Sequence, residues 1–173
     1  MMTTSSIYGG SVVLDTPKRQ KAKALHSGLD VNIKKIHKDA KEPVYSTEHA
    51  GAFDLFTIDE GIVAKDFSVV FRTGLQIEIP DGHVMLLFSR SGHGFNLDVR
   101  LSNCVGVIDA DYRGEIKIKL VQDLIKDEKY LEVQKGDRIA QGIILPYPKI
   151  QFNVTENLSE TLRGENGLGS TGK

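Results

Sequence analysis

Asn-Cys-Val-Gly-Val-Ile-Asp-Ala-Asp-Tyr-Arg-Gly-Glu-Ile-Lys-Ile-Lys-Leu, at residues 103–120, sets glycine-broken apolar residues before two carboxylates, Asp109 and Asp111, and a phenol, Tyr112. From Glu115 to Leu120 polar and apolar residues alternate strictly, the period of a half-buried strand. Residues 109–114 read as the tip of a hairpin, since Asp and Gly accept turn dihedrals that branched side chains resist. Two acids and a phenol would then sit at a strand end, where a rigid scaffold commonly mounts chemistry. The same residues also make an ordinary polar turn, and the segment alone does not choose between the two.

Upstream, residues 67–71 and 75–79 carry period-two patterning, Pro80-Asp-Gly-His83 offers a turn, and residues 84–88 continue as a strand. This predicts an antiparallel hairpin over 75–88. It delivers Ser89-Arg-Ser-Gly-His-Gly94, whose N–H groups, hydroxyls and fixed cation suit phosphate oxygens or simply form a turn. Residues 95–101 read as a helical turn or irregular link. Earlier, residues 31–36 read as a strand whose lysines at 34 and 35 suggest a sheet edge. Asp54 lies among apolar neighbours in Ala52-Phe-Asp-Leu-Phe56, a costly place for an acid unless a charge or hydrogen bond meets it.

Downstream, residues 130–134 alternate, 135–137 turn, and 138–145 form an apolar strand closed by Pro146 and Pro148. Gln141 is the polar exception in that strand. It is either a satisfied core amide or a ligand contact. Strands spaced about eight to twelve residues apart, with Gly and Pro between them, predict an all-β jelly roll or barrel. The one good helix signal lies at 16–28, with Thr16 as N-cap, Pro17 at the first helical position and Gly28 as the stop.

A chain of 173 residues is one domain, or one domain with tails. Residues 1–41 hold eight Lys/Arg against three Asp/Glu, whereas the remainder holds fourteen against twenty. Such a basic arm packs on a neighbouring subunit, stays solvated, or meets a nucleic acid or acidic protein. The lone cysteine, Cys104, excludes an intrachain disulfide, and no Cys/His cluster has zinc spacing. These features predict a reduced, cytoplasmic protein with no signal peptide and no membrane span. Residues 163–173 hold four glycines, Arg163, Ser170, Thr171 and a terminal lysine. Such a tail orders only around something, and its donors suit an anion such as a triphosphate.

Order and spacing of these pieces resemble the trimeric deoxyuridine triphosphate nucleotidohydrolases, the dUTPases. Five short motifs carry the resemblance: residues 52–56, Ser89-Arg-Ser-Gly, Gly106-Val-Ile-Asp-Ala-Asp-Tyr-Arg-Gly-Glu, Gly136-Asp-Arg-Ile-Ala-Gln, and Arg163-Gly-Glu-Asn-Gly-Leu-Gly-Ser-Thr-Gly. The resemblance implies an extension at 1–30, a dUTPase-like jelly-roll β domain at 31–160, and a flexible arm at 161–173. It further implies a homotrimer whose arms are exchanged, each active site being built from all three chains. The implied reaction turns dUTP into dUMP and pyrophosphate, which limits uracil in DNA. Asp109 would hold and deprotonate the attacking water, with Asp111 as a second carboxylate two residues on. Tyr112 would lie under the deoxyribose and exclude a 2′-hydroxyl. Asn103 and the backbone of Gly106, Val107 and Ile108 would read uracil. Arg90, Ser91, Gly92 and Gln141 would hold phosphates, and Asp54 would orient water on Mg2+ held by the triphosphate. Arg163, Gly169, Ser170 and Thr171 would close over a neighbouring site.

The pattern departs from the family in three places. Leu168 stands where a phenylalanine usually stacks on the base, exchanging stacking worth about 0.5–1.5 kcal/mol for plain apolar contact. Ser89 replaces a common proline, and the basic extension has no counterpart. A dCTP deaminase shares parts of the motif set, but it needs a glutamate where Lys119 stands. A dCTP or broader deoxynucleotide pyrophosphatase, and a non-catalytic regulator on the same fold, complete the alternatives.

Overall fold

A computed structural model describes residues 28–64, 68–123 and 129–167. Chain contacts separate Met1–Asp30 from Val31–Lys173, and the folded elements belong to the second unit. In order they are β1 (Asn32–Lys35), β2 (Phe53–Phe56), β3 (Gly61–Val63), β4 (Val69–Arg72), β5 (Leu75–Glu78), β6 (His83–Phe88), α1 (Ser91–Leu97), β7 (Val99–Leu101), β8 (Gly106–Ile108), β9 (Lys117–Gln122), β10 (Leu131–Val133) and β11 (Arg138–Pro146). Among the described residues the unit is mostly β with one short helix.

Alternation builds these strands, but it does not choose their partners. All pairings are antiparallel: β1 with β5, β10 with β3, a four-stranded sheet β2-β11-β6-β8, and a three-stranded sheet β4-β9-β7. The hairpin expected over residues 75–88 is therefore absent. β5 pairs with β1 and β6 with β11 and β8, so the turn at 80–83 carries the chain from one sheet to another. Residues 103–120 are likewise no hairpin, since β8 joins β6 while β9 lies between β4 and β7. Residues 91–97, read as a turn to 94 and a helical turn or irregular link from 95, form α1, which ends on Asp98 in a left-handed conformation (φ 52°). Among the described residues β1 pairs with β5 alone, in keeping with its edge lysines. Of the helix expected at 16–28, only Gly28 lies within the described residues.

Burial supplies the reason for these partner choices. On β9 the inward side chains Ile118 and Leu120 are fully buried while Lys117 and Lys119 face out. Phe71, Leu75, Met85, Leu87, Ile116 and Ile139 meet them in one core drawn from all parts of the unit. Each such side chain contributes about 1.5–3 kcal/mol on leaving water, more than local turn geometry offers. Gln122 is the polar member of this interior. Its Nε2 donates to the carbonyls of Leu97 (2.8 Å) and Lys129 (2.9 Å), tying the end of α1 to the segment before β10.

Candidate active site

Asp54 sits in the middle of β2 with 2% exposure, and the fold surrounds it with donors. A bulge at Ile139 shifts the register of β11, so that Gln141 falls opposite Asp54 on one side and Phe88 on the other. An isolated bridge between Val44 and Asp54 brings Ser46 alongside. Ser46 Oγ donates to Asp54 Oδ2 (2.5 Å), Arg138 Nη1 donates to the same oxygen (3.3 Å), and Gln141 Nε2 donates to Oδ1 (3.3 Å). Arg90 Nε lies 3.7 Å from Oδ1. Burial pushes the Asp54 carboxyl up, but the Ser46, Gln141 and Arg138 hydrogen bonds and the Arg90 charge outweigh it and hold it below the usual carboxylate range. The costly acid thus has its compensation, three hydrogen bonds and two guanidinium groups.

Arg90 caps the start of α1 in extended backbone conformation, and Ser91 and Gly92 form the exposed first turn. Its Nη1 donates to the Arg138 carbonyl (3.2 Å) and approaches His93 Nε2 (3.4 Å). Ser89 has a function that a proline there could not perform in the same way: its Oγ accepts the Leu101 N–H (2.9 Å). That bond ties the Arg90 strand end to the end of β7, two residues before Asn103. The residues with phosphate-binding chemistry, Arg90 and Gln141, therefore converge on Asp54.

Asn103 and β8 form a second surface. Among the described residues β8 has β6 on one side and no strand on the other, so main-chain donors and acceptors stand open at the sheet edge. Asn103, Gly106, Val107, Ile108, Lys117 and Lys119 line a groove of about 290 Å³. Asp109 and Asp111 are exposed and line a different, open cavity of about 730 Å³ with Asp81, Tyr147 and Lys149.

The turn that carries Asp109 is fixed by its neighbours. Tyr112 N–H donates to the Asp109 carbonyl (3.2 Å), and Arg113 Nη1 donates to the Ala110 carbonyl (2.6 Å) while Nη2 reaches Glu78 (3.2 Å). Tyr112 Oη donates to the Glu115 carbonyl (3.1 Å). This lays the ring over Gly114, where a Cβ would stand 2.3 Å from Oη and would have to displace the ring.

The predicted residues thus fall into separate groups on one chain. No described hydrogen bond or ion pair joins the Asp54 cluster to Asn103, Asp109 or Tyr112. Arg163 is exposed in a local turn, with Nε donating to the Asn166 carbonyl (2.9 Å). Leu168, Gly169, Ser170 and Thr171 lie outside the described residues. Sequence reasoning missed Ser46, Arg138, His93 and Arg113. Arg138 carried the one available signal, a cation opening an apolar strand. Ser46 carried none, because it reaches Asp54 only through the Val44 bridge.

A protein-family model described as dUTPase matches residues 38–172. The deoxyuridine 5′-triphosphate nucleotidohydrolase of Helicobacter pylori is 42% identical over 145 residues, covering 83% of this chain and 97% of that protein. The Hydrogenobaculum protein of the same name is 40% identical over 141 residues, covering 81% and 96%. The solved dUTPase of Staphylococcus bacteriophage 80alpha with dUPNHPP superposes with a TM-score of 0.71 at 25% identity, covering 83% of this chain and 99% of that one. The matched span runs from before the buried acid to the glycine-rich tail, and by that extent the chain belongs to the dUTPase family.

Proposed function

We propose that this chain hydrolyses dUTP to dUMP and pyrophosphate, and that Val31–Lys173 acts as a catalytic unit with residues 161–173 as its closing arm. The observation that carries the reading is the convergence of Arg90 and Gln141 on a buried, ionised Asp54, a cationic cradle beside an acid. The phosphates bind Arg90 and Gln141, with the Ser91 and Gly92 turn beside them. Uracil docks on the open edge of β8, where the backbone of Gly106, Val107 and Ile108 meets its donor and acceptor groups as an added strand would, and Asn103 completes the readout. Tyr112 floors the deoxyribose, and its fixed ring leaves no room for a 2′-hydroxyl. Asp109, exposed and free of side-chain partners among the described residues, holds the attacking water and takes its proton. Lys119 lines the base groove, where a deaminase would need a carboxylate.

The Asp54 cluster suits Mg2+ through water. Both Asp54 oxygens already accept protein hydrogen bonds, so the carboxylate is better placed to accept from a metal-bound water than to bind the ion directly. Among the described residues no three His, Cys, Asp or Glu side chains converge, so the triphosphate itself would supply the direct ligands. When bound, Mg2+ neutralises charge on the phosphates and orients them for in-line attack.

A homotrimer reconciles the separated groups, because Asp109 and Tyr112 of one copy then face Arg90 and Gln141 of another. Ile150, Phe152 and Val154 support this: they alternate along a segment outside the named strands and are 70–104% exposed, an apolar pattern that a second copy would cover. Arg163, Gly169, Ser170 and Thr171 would then close over a neighbour's phosphates, with Leu168 over its base. No described helix is long and apolar enough to cross a membrane, and the exposed thiol of Cys104 suits the reducing cytoplasm.

The test is pyrophosphate release from dUTP, dCTP, dTTP and UTP with and without Mg2+, beside Asp109→Asn. We expect turnover of dUTP alone, dependence on Mg2+, and a loss of about 10²–10⁴-fold in Asp109→Asn. Equal rates on dCTP and dUTP would refute the base assignment, and an unimpaired variant would refute the water-activating role.

A further inference from the structure

His93 belongs to none of the groups assigned above, yet it is packed against the central cation of the phosphate cradle. Three contacts hold the Arg90 guanidinium: Nη1 meets the Arg138 carbonyl (3.2 Å) and His93 Nε2 (3.4 Å), and Nε faces Asp54 Oδ1 (3.7 Å). Nη2 has no protein partner among the described residues. A guanidinium can only donate. Contact with Nη1 therefore requires a bare Nε2, which places the proton of the neutral ring on Nδ1. That Nδ1 is buried without a hydrogen-bond partner, so nothing there repays the tautomer except the contact with Arg90.

We propose that His93 is a positioning residue: its neutral imidazole accepts from Arg90 Nη1 and, with the Arg138 carbonyl, fixes the guanidinium so that Nη2 faces the substrate phosphates. This rests on the reading of Arg90 as a phosphate ligand. A carbonyl and an imidazole on Nη1, together with a carboxylate beyond Nε, leave the guanidinium plane little freedom. Its alignment for a phosphate is then set before substrate arrives, which lowers the entropy lost on binding.

The ring's surroundings keep it neutral. Arg90 faces it from the same turn, Glu132 from β10, and Asp137 and Arg138 from the start of β11, around a shared cavity of about 260 Å³. Burial pushes the imidazole below its ordinary range, the Arg90 charge pushes it the same way, and Asp137 opposes them. The accepting lone pair is therefore present at neutral pH. It is lost as pH falls below the ordinary histidine range, when a second cation meets Arg90.

The test compares wild type, His93→Leu and His93→Gln for kcat and KM on dUTP with Mg2+, from about pH 5 to 8. Leucine removes the acceptor and should raise KM about tenfold at neutral pH with a smaller change in kcat. Glutamine offers a carbonyl in place of Nε2. It should stay within about threefold of wild type and retain more of its kcat/KM at the acid end. A wild-type KM in His93→Leu overturns the proposal, as does a pH profile that glutamine leaves unchanged. An NMR titration of His93 in wild type and Arg90→Ala judges the pair without turnover. Removing Arg90 should raise the midpoint, and an unmoved midpoint would refute the contact. If the wild-type protein proves inactive on dUTP while the midpoint moves, the functional reading fails and the His93–Arg90 pair stands.

Discussion

Gly114→Ala tests how the Tyr112 ring is held and what the ring does. A Cβ at this position would stand 2.3 Å from Tyr112 Oη and 2.4 Å from Cζ, where ordinary contact begins at 3.4 Å. The ring tip must retreat by about 1 Å, because the nearby backbone is held at Tyr112 by the Asp109 carbonyl and at Ile116 by Leu75 and Thr73. That displacement breaks the 3.1 Å bond from Oη to the Glu115 carbonyl. Its loss costs about 0.5–1.5 kcal/mol. For a unit of this size the melting temperature should fall by a few degrees. A misplacement of about 1 Å in a substrate-positioning group costs up to about a hundredfold in rate, so kcat/KM for dUTP should fall between about tenfold and a hundredfold. The assay is pyrophosphate release beside a thermal melt, with Gly51→Ala as control, since no atom lies within 4 Å of a Cβ there. An unchanged melt in Gly114→Ala would refute the packing. A lowered melt with wild-type kcat/KM would refute Tyr112 as the floor of the sugar site.

Further expectations follow from the same contacts. Asp54 has its carboxyl held below the usual range, so its ionised form stabilises the fold above about pH 4 and that contribution is lost as pH falls through the folded value. Urea unfolding of wild type and Asp54→Asn should therefore differ by about 2 kcal/mol or more near neutral pH and converge in acid; parallel curves would contradict the hydrogen-bond network. Gln122→Met leaves the carbonyls of Leu97 and Lys129 unpaired and should lower stability by about 2–3 kcal/mol, with amide exchange rising first around α1. Removing residues 163–173 should reduce turnover while light scattering still reports a trimer; undiminished turnover would exclude a closing arm.

What could be read before the fold was known depended on local chemistry. Period-two alternation located β5, β9 and β10, and the turn at 80–83 and the closing prolines located β6 and β11, to within a residue or two, because these signals are local. Partner choice was not legible. Residues 75–88 carry a good hairpin signal, yet β5 and β6 separate, since burying Leu75 and Ile77 on one side and Met85 and Leu87 on the other satisfies more apolar area than closing the turn. The helix at Ser91–Leu97 was legible only as a possible helical turn from residue 95 on, because its glycines and histidine are poor helix formers, and its stop is Asp98 rather than glycine.

The amino-acid sequence by itself determined the family, through five motifs in order, and the inventory of acids, cations and amides that a triphosphate site requires. Tertiary structure alone decided which of them meet. The bulge at Ile139 sets Gln141 against Asp54, the Val44 bridge carries Ser46 to the same carboxylate, and the start of β11 brings Arg138 to both. These are contacts between segments up to 92 residues apart, made by Arg138 with Ser46 in the extreme case, and no local pattern encodes them. The physical reason is the cost of a buried charge. Asp54 can be interior only where the whole fold delivers its donors, and that delivery is a property of the packed sheets rather than of any one strand.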